Sequence, residues 1–251
     1  ILLSIFGYRF MDIALQMGTQ LRKTSVSTKV KERLDFSCAI FDPTGALVAN
    51  APHIPVHLGS MSTCIAMQAE LWRGKLKPGD VIVTNHPEIG GTHLPDITVI
   101  SPAFSKETGE ISFYVASRAH HADIGGILPG SVPPNSTQLY EEGAAIYSEL
   151  VVKEGEFQEE MITNLLLVEP AKYPGCSGSR RISDNISDLK AQIAANNKGV
   201  LLLCKLIDEQ GFKEHMAESE FKLRKGLGPD AQEASAIING VFSAITSNLD
   251  D

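Results

Sequence analysis

Apolar residues recur at three- and four-residue spacing at the start of the chain. Phe6, Phe10, Ile13, Met17 and Leu21 share one face of a helix expected over residues 1–25. Such a face needs a partner to cover it. Strand-like runs follow. Phe36 to Phe41 and Ala46 to Ala49 flank Asp42-Pro43-Thr44-Gly45, where Pro presets φ and Gly accepts a positive φ, so a hairpin is expected. Residues 58–73 read as a helix with Gly74 behind it as a stop signal. Lys77-Pro78-Gly79-Asp80 is a turn, and Val81 to Thr84 is a short buried strand. Ile97 to Phe104 and Ile111 to Ala116 form a second hairpin around Lys106-Glu107-Thr108-Gly109. Asp123 to Ser136 is rich in Gly and Pro, with little regular structure expected; loops of this length inside a domain are usually functional or disordered. Helices resume near residue 157, and the longest is expected from about Arg181 to about Glu209. Ile182, Ile186, Leu189, Ile193, Val200 and Leu203 give it a buried seam, while Asn185, Asp188, Gln192 and Asn196 form a polar, mostly uncharged stripe. An ordinary solvated face carries more Lys and Glu, so a polar cavity is a second reading of that stripe. Helices and hairpins mix without a βαβ rhythm. The expected class is α+β: a hairpin-rich mixed sheet packed with helices, with long C-terminal helices.

Composition adds limits. With 43% hydrophobic and 21% charged residues over 251 positions, the chain is an ordinary globular sequence. The formal charge of −8 with 22 basic residues argues against nucleic acid and anionic membranes as partners. Cys38, Cys64, Cys176 and Cys204 form no C-x-x-C pair, which suits free thiols in a reducing, cytoplasmic setting. The apolar run Ile1 to Phe6 is too short to span a bilayer and has no signal-peptide flanks. The chain starts with Ile rather than Met, as expected of a processed or shortened sequence.

The chemistry concentrates between residues 53 and 121. Gly90-Gly91-Thr92-His93-Leu94-Pro95-Asp96 offers an imidazole and a carboxylate three residues apart on a loop, with Pro95 blocking helix and Asp96 opening a strand. Imidazole and carboxylate suit Zn²⁺, Mn²⁺ or Fe²⁺. His120-His121-Ala122-Asp123-Ile124-Gly125-Gly126 follows the partner strand of the same hairpin, so both clusters are expected at one sheet edge. His53 and His57 lie in Pro52-His53-Ile54-Pro55-Val56-His57 near a helix start, where ligand, general base and structural cap are all open. Arg118 leads into the His pair. Arg180 and Arg181 follow the Gly- and Ser-rich stretch 174–179, either as an anion site at a helix N-terminus or as an exposed pair. The chain has no P-loop and no G-x-S-x-G elbow.

Taken together, Glu32 to Cys38, Pro52 to Met61, Gly90 to Asp96 and His120 to Gly126 resemble the hydantoinase B/5-oxoprolinase family. Pro129-Gly130-Ser131, Glu141-Glu142-Gly143 and the runs Asp184 to Leu189 and Ala191 to Asn196 fit it as well. The resemblance covers residues 5–205. It implies a partial hydantoinase B-like domain over 1–210 and a divergent helical tail over 211–251, since the family domain is longer than this chain.

The resemblance implies ATP-dependent chemistry. A kinase-like hydantoinase A subunit or domain phosphorylates an amide or enol oxygen, and the B part completes the reaction. For a 5-oxoprolinase this opens the lactam of 5-oxo-L-proline to give L-glutamate. The metal ligands carry over as His93, Asp96 and His121, with His120 the alternate ligand or a catalytic group. A divalent metal there would activate water. Asp123 or His57 would take the proton, Arg118 or Arg181 would hold the substrate carboxylate, and the glycines at 90–91 and at Gly125 and Gly126 would let backbone approach the substrate. ATP would be bound by the partner, and a homo-oligomer is expected. Competing readings are an N-methylhydantoinase, an acetone or acetophenone carboxylase subunit, a non-catalytic assembly module, and a metal-binding domain without catalysis.

Overall fold

The structure is a computed structural model that describes residues 2–106, 108–130 and 133–208. The expected helical tail over 211–251 lies outside the described residues. The core is a seven-stranded sheet, built from β1 (Phe36–Phe41), β2 (Leu47–Asn50), β3 (Val81–Thr84), β4 (Asp96–Phe104), β5 (Ile111–His120), β6 (Glu149–Lys153) and β7 (Glu156–Phe157), in the order β2-β1-β5-β4-β3-β6-β7. Every pairing is antiparallel. The α+β expectation therefore holds, with hairpins supplying most neighbours. Two pairings are non-local: β1 inserts beside β5, with Phe36 opposite Ala119 and Phe41 opposite Tyr114, and β3 pairs with β6, Ile82 opposite Leu150.

Helices cover both faces. On one lie α1 (Leu2–Thr24) and α5 (Ile182–Asp208). Phe6, Phe10, Ile13, Met17 and Leu21 of α1 are buried, as their spacing predicts, against Phe113, Val115 and Ala119 of β5 and Ala191 and Ala195 of α5. On the other face lies α3 (Pro55–Leu71), whose Met61, Cys64 and Ile65 pack on Ala39, Phe41, Ile100 and Ala116. Between α1 and β1 a short α2 (Thr28–Lys31) is capped by the Ser27 hydroxyl. α4 (Glu159–Thr163) leads into a π turn at Asn164–Val168.

Two boundaries and one helix face differ from expectation. Helix α3 begins at Pro55, because Pro at a first helical position lacks the N–H that would be unsatisfied there anyway. Strand β5 runs on to His120, since its pairing with both β1 and β4 continues that far. The polar stripe of α5 faces no cavity. Asn185, Asp188, Gln192 and Asn196 are all buried, and the amides of Gln192 and Asn196 donate to Ile97, Ser117 and Val99 carbonyls of the sheet. Among the described residues no helix is long and apolar enough to cross a membrane, and Cys38, Cys64, Cys176 and Cys204 form no disulfide.

Candidate metal centre

Strand alternation builds the centre. Asp96 pairs with His120, and Thr98 with Arg118. Side chains at every second position share a sheet face, so all four point to the α3 side. His57 arrives in the first turn of α3. His93 arrives on the loop before β4. That loop lies tight against its neighbours: a Cβ at Gly91 would sit 2.2 Å from the Asn85 carbonyl oxygen, and Gly90 has φ +81 over Cys64. Asn85 fixes the far end by donating to the Leu94 and Ala144 carbonyls at 2.6 and 2.9 Å.

The hub is the carboxylate of Asp96. The Thr92 hydroxyl donates to Oδ2 at 2.6 Å, and His93 Nδ1 lies 2.9 Å from the same oxygen. His57 Nε2 is 3.5 Å away. His120 Nδ1 is 2.9 Å from Oδ1. Burial opposes ionisation of Asp96, yet hydrogen bonds from His120, His57, His93 and Thr92 together hold its carboxyl well below the usual carboxylate range. In return, the bond to Asp96 raises the pKa of His93.

Sequence reasoning missed Asp35. Its carboxylate stands 4.0 Å from His57 Nε2 and 3.9 Å from His120 Nδ1. It is held there by β1 pairing with β5, a contact between distant segments that no local pattern reveals. The residue before it, Leu34, sits at φ +56, a left-handed conformation that costs a side-chain-bearing residue energy and is often found beside functional groups.

These donors fit a divalent cation. One ligand atom each from His93, Asp96 and His120 lies within 4.8 Å of the others. The buried Nε2 of His120 has no hydrogen-bond partner among the described residues. A buried polar atom of this kind is costly unless something binds it. The His93 side chain, 34% exposed, opens the cluster to solvent.

The sequence profile of the family described as hydantoinase B/oxoprolinase matches residues 1–224. The chain belongs to the hydantoinase B/oxoprolinase family. It is 79% identical over 209 residues to the 5-oxoprolinase of Saccharomyces cerevisiae, covering 83% of this chain and 16% of that protein. With 5-oxoprolinase 1 of Arabidopsis thaliana it shares 58% identity over 214 residues, 83% of this chain and 16% of that protein. Among solved structures it is similar to the ATP-dependent caprolactamase of Pseudomonas jessenii, with TM-score 0.74 and 29% identity over 86% of this chain and 35% of that one. The chain thus spans about one-sixth of the length of the curated 5-oxoprolinases it matches.

Against this hydantoinase B frame, several expected site residues take other places. His121 does not join the cluster. Alternation sends its ring to the opposite face, where Nε2 meets Gln192 Oε1 at 3.0 Å and Nδ1 meets the Asn185 amide at 3.2 Å. Arg118 is fully buried. Its guanidinium donates to Thr98, Ser60 and the Gly90 carbonyl, so it is not spread toward a substrate. Asp123 is no open base: its Oδ1 accepts from the Gly125 and Arg180 N–H groups, and the Arg180 guanidinium reaches Oδ2 at 3.1 Å. Arg181 is exposed and faces Asp184 at 3.5 Å. The N–H groups of Ser177, Ser179 and Arg181 before α5 are spent within the chain, which removes the expected anion site. Gly125 and Gly126 approach chain, not substrate: a Cβ at either would lie 2.5 Å from a carbonyl oxygen, of Ser177 or Glu141. His53 is structural, its Nδ1 accepting the Cys38 N–H at 3.0 Å. Burial, then the charge of His57, lowers its pKa to about 4.

Proposed function

We propose that this chain is the metal-binding, ring-opening region of an ATP-dependent 5-oxoprolinase, hydrolysing 5-oxo-L-proline to L-glutamate. The single observation that carries the reading is the convergence of His93, Asp96 and His120 donor atoms within 4.8 Å of one another, in a chain 79% identical to a 5-oxoprolinase. His93, Asp96 and His120 would hold the cation, with Zn²⁺, Mn²⁺ and Fe²⁺ all compatible with the donor set. When bound, a divalent cation supplies a Lewis acid that lowers the pKa of water toward neutrality.

The chain's own residues supply position and proton handling. Asp96 aligns three imidazoles at once. His57, held by Ser37 at Nδ1 (3.3 Å) and meeting Asp96 through Nε2 at 3.5 Å, would orient that carboxylate. Asp35, beside both His57 and His120, would take the proton as water adds to the ring carbon and give it to the ring nitrogen as the C–N bond breaks, and hydrolysis of the acyl phosphate left behind would release phosphate with L-glutamate. The lactam is a poor electrophile until its oxygen is phosphorylated, so a hydantoinase A-like kinase part is the proposed partner and the proposed site of ATP use. The likeness to a caprolactamase supports cyclic amides as the substrate class over ketone carboxylation.

The test is elemental analysis of the full-length protein, wild type beside His93→Ala, Asp96→Ala, His120→Ala and His121→Ala, with glutamate release from 5-oxoproline measured in parallel. Near-stoichiometric metal in wild type, lost with the first three variants and kept in the fourth, is the expected result. A well-folded wild type without metal would sink the assignment. ATP use triggered by a hydantoin or a ketone instead of 5-oxoproline would move the chain to another branch of the family.

A further inference from the structure

Arg118 heads the fully buried large side chains, with 0% exposure, and each of its three nitrogens donates to a neutral oxygen. Nε donates to Thr98 Oγ1 at 2.7 Å and Nη2 to the Gly90 carbonyl at 2.9 Å, while Nη1 donates to Ser60 Oγ. A guanidinium withdrawn from water onto uncharged partners is expensive for a fold to keep, so its placement calls for a reason.

The partners supply one. Thr98 lies two residues beyond Asp96 on β4, and Arg118 itself two residues before His120 on β5. Gly90 lies three residues before His93. Ser60 lies three residues after His57 on α3, and its hydroxyl also donates to the His57 carbonyl at 3.3 Å. Each of the four segments carrying a histidine or carboxylate of the centre is therefore fastened to one rigid group within three residues of that donor. The Asp96 carboxylate meets the same four segments from within the donor set, whereas Arg118 joins them from behind the donors. We propose that Arg118 is a positioning residue of the metal centre, its guanidinium fixing α3, the His93 loop, β4 and β5 in the one arrangement that brings His57, His93, Asp96 and His120 together. The proposal rests on the metal reading given above.

A planar fork presents donors from three separate nitrogens in fixed directions, so it reaches acceptors spread around its edge, whereas an ammonium donates all its N–H groups from one point on a flexible stem. Lysine at this position keeps the charge and loses the geometry. The experiment compares full-length wild type, Arg118→Lys and Ser60→Ala loaded with cobalt(II), reading the visible absorption of the bound ion and its dissociation constant by chelator competition, beside thermal unfolding. Supporting groups behind metal ligands typically change affinity by roughly 10–100-fold. Arg118→Lys is expected to weaken cobalt binding about tenfold and to alter the absorption bands. Ser60→Ala is expected to shift both in the same direction by less, without a matching loss of folded protein. Should Arg118→Lys fail to fold, Ser60→Ala and Thr98→Val carry the test, since each removes one tether and leaves the arginine. Variants that unfold at lower temperature yet keep the wild-type absorption and affinity would overturn the proposal and leave the metal reading intact. Wild type that binds no cobalt would overturn the metal reading and this inference with it.

Discussion

Asp96 works because chain segments can crowd around it, and two glycines set how close they come. At Gly91 an added methyl would lie 2.2 Å from a backbone oxygen that cannot swing away. Gly91→Ala is expected to destabilise the protein by about 1–3 kcal/mol and to displace the His93 loop, read as a lower unfolding temperature with weakened metal binding. Gly59 is the control. It sits within α3 with nothing within 4 Å of its would-be Cβ, so Gly59→Ala should stabilise by about 0.5–1 kcal/mol; a loss of stability there would mean that something unseen packs on that face. At this scale the sequence was legible for His93 and Asp96, because a loop His and a strand-start Asp are a local signature. The choice between His120 and His121 was not legible. It depends on how far β5 extends, and that extent is fixed by two pairing partners, one of them distant in sequence. Asp123, Arg118 and the Gly125-Gly126 pair misled for a related reason: residue type signals polarity or freedom, but only the fold shows whether partner groups already occupy it.

Among the elements, α5 is the one whose polar stripe changes meaning. It reads as unusual in sequence, correctly, yet its amides serve the sheet. Gln192 bridges β4, β5 and His121 in one side chain. Gln192→Leu would fit the space and leave His121 Nε2 buried without a partner. The expected cost is about 1–3 kcal/mol, measured by denaturant unfolding, with metal affinity nearly unchanged because His121 faces away from the centre. A large loss of metal in that variant would place His121 among the ligands after all. The hairpins and α1 were legible because turn chemistry and helical spacing are local. The early start of α3 was missed because Pro55 reads as a breaker until its place at a helix start is seen.

For the molecule as a whole, two imidazoles, His121 buried and His53 half-buried, contribute to its response to acid. Burial lowers the pKa of His53 from 6.5 to about 4, and burial lowers that of His121 as well. The unfolded chain takes up a proton near 6.5 that the folded chain refuses until much lower pH. Their contribution to stability is therefore complete above about 6.5 and falls as pH drops toward about 4, while His93, raised by its bond to Asp96, contributes in the opposite sense, its share being lost as pH rises. Unfolding free energies measured across that window should show this slope. His53→Asn, whose Oδ1 can still accept the Cys38 N–H, should make the slope shallower without abolishing it, because His121 remains. An unchanged slope would mean that His53 is protonated in the folded protein at higher pH. The family was legible from motifs alone, since they are dense and spread along the chain. The order of strands was not, because β1 joins the sheet across an intervening hairpin, helix and strand.

The doubled histidine at the end of β5 looks like redundancy, a spare for a lost ligand. The pleat forbids that use. His120 and His121 belong to opposite sides of the sheet, one turned to the Asp96 carboxylate under α3 and the other to the amides of α5. Slipping β5 by one residue would bring an imidazole back opposite Asp96, but it would also carry Arg118 out of its socket and strand Gln192. Neither histidine can stand in for its neighbour, and the pair acts as a lock on strand register.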